Sequence, residues 1–83
     1  MWQEKDNALQ AAFTFADFSQ AVAFMTEIAI VAEKQNHHPD WSNVWNKVSF
    51  KLNTHDAGGT VTDKDRKLAE AISATAKRYK SEH

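Results

Sequence analysis

The chain has 83 residues, of which 42% are hydrophobic and 25% charged, so one folded domain over residues 1–83 is expected and two are not. With a net charge of −1, and basic residues scattered apart from Lys77, Arg78 and Lys80, it lacks the electrostatic footprint of a direct nucleic-acid binder. There is no cysteine and hence no disulfide staple; a single core of this size yields only about 3–5 kcal/mol, so self-association would help.

The first residues, Met1-Trp2-Gln3-Glu4-Lys5-Asp6, have neither the basic-then-apolar pattern of a secretory leader nor an apolar run that could span a bilayer. A cytoplasmic location without membrane attachment is expected. Lys5-Asp6-Asn7 supplies turn residues that fold Trp2-Gln3-Glu4 back beside a strand from Leu9 to Phe15. From Asp17 to Asn36, Phe18, Val22, Met25, Ala29 and Ala32 recur at helical spacing, with Phe24, Ile28 and Val31 widening the stripe. Pro39 disfavours helical geometry at His38, so this helix is expected to stop near His37.

Trp41 to Val44 reads as a short strand, and Val48, Phe50 and Leu52 alternate with Lys47, Ser49, Lys51 and Asn53, the period of a strand with one face on a core. Trp45-Asn46-Lys47 is either a tight turn or bulge between two antiparallel strands, or part of one long strand. Gly58-Gly59 breaks the pattern, and with neither a dinucleotide fingerprint nor a P-loop around it the pair is read as backbone geometry only. A last helix begins at Thr62-Asp63-Lys64-Asp65, spaced as a capping box, with Leu68, Ile72, Thr75 or Ala76, and Tyr79 on its inner face. The order strand, strand, helix, strand, strand, helix implies an α+β fold, a four-stranded antiparallel sheet with two helices packed on one face.

The unusual chemistry lies in Glu33, His37, His38 and Pro39 and in His55-Asp56-Ala57; the fourth histidine is the terminal His83. Histidine titrates near ~6.5 and suits proton transfer at neutral pH. Glu33 and His37 are four apart, so a carboxylate–imidazole bond is available between them, or Glu33 belongs to a solvated face. The backbone change at Pro39 should send the His37 and His38 rings in different directions, for separate roles or simply as a polar helix end. His55 is either a turn residue or a second acid–base group. A His-Glu-x-x-His helix and a Cys/His zinc spacing are both lacking, so no metal is expected, and without cysteine or a Gly-x-Ser-x-Gly elbow no covalent nucleophile is either. Trp41 and Trp45 either flank a planar ligand or serve as core and interface aromatics.

Taken together, the run Glu33-Lys34-Gln35-Asn36-His37-His38-Pro39-Asp40-Trp41-Ser42-Asn43-Val44-Trp45-Asn46-Lys47-Val48, then Thr54-His55-Asp56-Ala57-Gly58-Gly59, then Thr62-Asp63-Lys64-Asp65, resembles the pterin-4a-carbinolamine dehydratase family. Phe13-Thr14-Phe15-Ala16-Asp17-Phe18, Ala23-Phe24-Met25-Thr26 and Trp2 extend the resemblance over nearly the whole chain. It implies a hydro-lyase, independent of metal and cofactor, that removes water from a 4a-hydroxytetrahydropterin. By motif position it implies His37, His38 and His55 as active-site histidines: His37 and His55 as acid–base groups and His38 polarising the pterin. Glu33 would support His37, while Pro39, Thr54, Asp56 and Ala57 would shape the pterin pocket and Asp65 would be a site acid. Longer family members carry a helix before the first tryptophan, so one pocket wall is expected to be thinner here. The resemblance also implies assembly as a homodimer or homotetramer, in keeping with the small core. Some members also bind a transcription factor through a helix surface, which leaves a protein-binding module as the alternative function.

Overall fold

The computed structural model describes residues 2–80, so His83 lies outside the described residues. Strand β1 (Gln3–Lys5) turns through Asp6 and Asn7 into β2 (Ala8–Thr14). Both turn residues have positive φ, 54° and 61°, the backbone that matches the twist of a two-residue hairpin and that Asp and Asn tolerate best after glycine. Helix α1 (Phe18–Gln35) follows, then β3 (Asp40–Val44), β4 (Lys47–Leu52), a single 3₁₀ turn at His55–Ala57, and α2 (Asp63–Lys80). Of the two readings of Trp45-Asn46-Lys47, the turn is correct: Val44 pairs with Lys47 and the chain reverses at Trp45 and Asn46.

The sheet is antiparallel throughout, in the order β1-β2-β4-β3, and is consistent with the α+β fold expected. Its central pair sets Leu9 opposite Leu52, Ala11 opposite Phe50 and Phe13 opposite Val48, so the apolar alternation of both strands falls on one face. Against that face pack Ala21, Phe24, Ile28 and Ala32 of α1 and Leu68, Ala69, Ile72 and Ala76 of α2. Phe13, Phe24 and Phe50 meet with ring centroids 5.9 Å apart, in tilted or edge-on geometry.

The rotation of α1 differs from the expected stripe. Phe18, Val22 and Ala29, placed on its inner line from the sequence, are exposed, as is Ile30, while Ala21 and Phe24 face the core. This helix is apolar on most sides, so periodicity alone does not orient it; the sheet and α2 select the side that carries Phe24 and Ile28. Trp41 lies half-buried on Phe50, and Trp45 stands exposed at the hairpin tip. Among the described residues, no helix is long and apolar enough to cross a membrane.

Candidate functional site

Three local structures converge on the site: the end of α1, the 3₁₀ turn, and the start of α2. Helix α1 ends at Asn36, whose left-handed backbone (φ 52°) lets its N–H reach the Glu33 carbonyl at 3.1 Å and the His37 N–H reach the Ala32 carbonyl at 3.1 Å. That pair of bonds is a Schellman closure. Asn36 is therefore the terminator, with Pro39 acting further on, and the chain leaves the helix with His37 turned inward and His38 turned outward.

The loop after β4 is pinched shut. Thr54 donates its N–H to the Thr60 carbonyl at 2.8 Å, and its own carbonyl accepts from Ala57 and Gly59. Gly58 and Gly59 both have positive φ, 82° and 76°, which is the backbone role read for them. The pinch brings Thr54 against the first turn of α2.

There Asp65, fully buried, is the hub. Its Oδ1 accepts from His37 Nε2 at 2.5 Å, and its Oδ2 accepts from the Thr54 hydroxyl at 2.8 Å and the Thr62 N–H at 2.8 Å. Thr54 Oγ1 and Thr62 Oγ1 lie 2.5 Å apart. Burial pushes the Asp65 carboxyl up, but the bond from His37 and those from Thr62 and Thr54 outweigh it and hold the group below its ordinary value of 3.8. An ionised carboxylate only accepts, so Nε2 of His37 carries the proton and a neutral His37 has a free lone pair on Nδ1. One carboxylate thus caps a helix with one oxygen and fixes a histidine tautomer with the other.

The expected bond between Glu33 and His37 does not form. Glu33 Oε1 instead accepts from His38 Nε2 at 2.9 Å, in a pair whose side chains are 80% and 61% exposed. The reason is the Schellman turn: it lifts His37 off the helical face that i and i+4 would share, so the partner of Glu33 becomes the next residue. Asp65, spaced for a capping box, supplies half of one: it takes the Thr62 N–H, while its own N–H goes to the Thr62 carbonyl at 3.0 Å. The Thr62 hydroxyl is left to face Thr54. That second role of Thr62 was not legible in the sequence, where it reads as a cap.

Of the remaining candidates, His55 is exposed in the 3₁₀ turn, and its side chain makes no hydrogen bond among the described residues. Asp56 and Ala57 line a shallow cleft of about 370 Å³ with Thr54, Thr62, Asp63 and Lys64. Pro39 is half-buried beside His38 in the chain. So His37, Thr54 and Asp65 are joined by hydrogen bonds, Thr54 also borders the cleft of Asp56 and Ala57, and Glu33 with His38 forms a separate solvent-facing pair. Among the described residues, no three His, Asp or Glu side chains converge as a metal site.

The family described as "Pterin 4 alpha carbinolamine dehydratase" matches residues 1–75. A protein of Rhizorhabdus wittichii provisionally named a pterin-4-alpha-carbinolamine dehydratase is 54% identical over 77 residues, covering 90% of this chain and 78% of that protein. One of Prochlorococcus marinus with the same provisional name is 52% identical over 71 residues, covering 86% of this chain and 73% of its own. The crystal structure of a transcriptional coactivator/pterin dehydratase from Brucella melitensis aligns with a TM-score of 0.85 at 43% identity, over 90% of this chain and 81% of that one. A pterin dehydratase-like protein described as a RuBisCO assembly factor of the alpha-carboxysome shares the fold, with a TM-score of 0.74 at 23% identity over 92% of this chain and 87% of that one.

Proposed function

Since the chain belongs to the pterin 4 alpha carbinolamine dehydratase family, we propose that it dehydrates a 4a-hydroxytetrahydropterin, such as the tetrahydrobiopterin carbinolamine, to the quinonoid dihydropterin. The observation that supports this most directly is the buried His37–Asp65 pair, which presents an imidazole of defined tautomer. The reaction breaks the C4a–O bond and the N–H bond of the adjacent ring nitrogen and forms a C=N bond between carbon and nitrogen. Water leaves with a proton from an acid, and a base takes the ring proton, so the protein ends with no net gain or loss of protons.

In this reading Asp65 holds the proton of His37 on Nε2, and Nδ1 takes the ring N–H proton. His55, solvent-facing and without a side-chain hydrogen bond among the described residues, is the acid toward the departing hydroxyl. His38, oriented by Glu33, contacts and polarises the pterin, and Pro39, Thr54, Asp56 and Ala57 bound the ring. The chemistry requires no metal and no cofactor. A turnover assay with a 4a-hydroxytetrahydropterin tests the proposal: His37→Ala and His55→Ala should each lower kcat/KM by about tenfold to ten-thousandfold, and a wild-type rate equal to the uncatalysed one overturns it.

A second reading, a protein-binding module in a cytoplasmic homo-oligomer, is favoured by one observation: Phe18, Val22 and Ile30 of α1 are 52%, 41% and 56% exposed along one helix. Size-exclusion chromatography with light scattering on wild type and Val22→Glu/Ile30→Glu tests self-association through that face. Identical monomeric masses for both proteins would remove its support.

A further inference from the structure

We propose that Thr62 is a positioning residue for the His37–Asp65 pair, acting through the hydroxyl of Thr54. The distances set the direction of the hydroxyl chain. Asp65 Oδ2 can only accept, and Thr54 Oγ1 lies 2.8 Å from it while Thr62 Oγ1 lies 3.5 Å away. The Thr54 proton therefore goes to Asp65, and the Thr62 proton goes to Thr54 Oγ1 at 2.5 Å. Thr62 O–H, Thr54 O–H and the carboxylate form a chain in which each bond polarises the next.

Two consequences follow for His37. The Thr62 N–H and the Thr54 hydroxyl both hold Oδ2, so the carboxylate cannot rotate and Oδ1 stays on Nε2. The same donors draw negative charge away from Asp65 and so limit how strongly it stabilises the imidazolium. Removing the Thr62 hydroxyl weakens Thr54 as a donor, concentrates charge on Asp65 and makes His37 more basic. Asp65 is the one titratable group hydrogen-bonded to His37 among the described residues; Glu33 is engaged by His38. The substitution leaves the backbone N–H of residue 62 in place, which separates the hydroxyl's role from the helix cap.

The catalytic consequence rests on the dehydratase reading, whereas the histidine titration is read without substrate. NMR titration of the His37 ring in Thr62→Val is expected to give a midpoint raised by about half a pH unit, with Nε2 still protonated at neutral pH. Thr54→Val, one link closer to the carboxylate, should shift it further in the same direction, and Thr62→Ser should return it to the wild-type value. The acid limb of the kcat/KM profile should move with the midpoint, with kcat lowered about threefold to thirtyfold and KM little changed. In the unmodified protein, the Thr54 and Thr62 hydroxyl protons should exchange slowly enough to be seen directly at low temperature. An unchanged His37 midpoint in the folded variants overturns the proposal even if melting temperature falls, as do hydroxyl protons that exchange at the solvent rate. A shifted midpoint in a protein without turnover would refute the dehydratase reading and leave the positioning role standing.

Discussion

His37 and His38 are neighbours in the chain and opposites in their surroundings. His37, its side chain 10% exposed, is bonded to a carboxylate with no exposure at all; His38, 61% exposed, is bonded to one that is 80% exposed. Both pairs join an imidazole to a carboxylate at hydrogen-bond distance, yet the medium differs. Water screens the outer pair, and exposed pairs of this kind contribute about 0–1 kcal/mol. The inner carboxylate has exchanged water for three protein donors, the His37 ring, the Thr54 hydroxyl and the Thr62 N–H, so it depends on every one of them. Adjacent histidines thus end in a rigid, buried pair on one side and a solvent-screened pair on the other; in the proposed dehydration the first would be the base and the second a contact to the pterin.

That contrast can be broken or sharpened by mutation. Asp65→Ala should have the largest effect: it leaves the His37 ring, the Thr54 hydroxyl and the Thr62 N–H without their acceptor, and urea denaturation should register a loss of about 2–5 kcal/mol. A loss below about 1 kcal/mol would mean that the inner pair is no different from the outer one. The acid dependence comes next. Because the folded carboxyl of Asp65 is depressed, its contribution is present above the ordinary carboxylate range near 3.8 and is lost as pH falls below it through the folded value. Urea midpoints measured from pH 6 down to pH 2 should therefore drop more steeply for wild type than for Asp65→Asn, and parallel curves would contradict the assignment.

Asn36→Ala is expected to cost about 1 kcal/mol, because alanine resists the left-handed backbone that turns His37 inward, while Asn36→Gly should be close to neutral. Thermal melts of the two variants check this. Glu33→Gln should have the smallest effect, within about 0.5 kcal/mol of wild type and with the His37 NMR titration unmoved. A His37 midpoint displaced by Glu33→Gln would show that the two pairs are coupled after all.

How far this was legible in advance differs from element to element. Strand β4 was readable because Val48, Phe50 and Leu52 alternate strictly and only one face of it is buried. The divergence of His37 and His38 was also readable, although the backbone feature that produces it is the left-handed Asn36 and not Pro39 alone. The partner of Glu33 was misassigned because i, i+4 geometry holds only while the helix continues, and the helix ends two residues before His37. The exposure of Phe18 and Val22 was not readable either, since an apolar residue does not announce which of two surfaces will cover it.

The sequence by itself determined the elements, their order, the α+β class and the family, because these follow from local periodicity, turn chemistry and an ordered set of motif residues. Only the tertiary structure decided the rotation of α1, the pairing of His37 with Asp65 across 28 residues, and the inward turn of the Thr62 hydroxyl. Those are choices among partners distant in the chain. They are settled by which buried polar groups can satisfy one another once the sheet and helices have closed, a condition that no local spacing encodes.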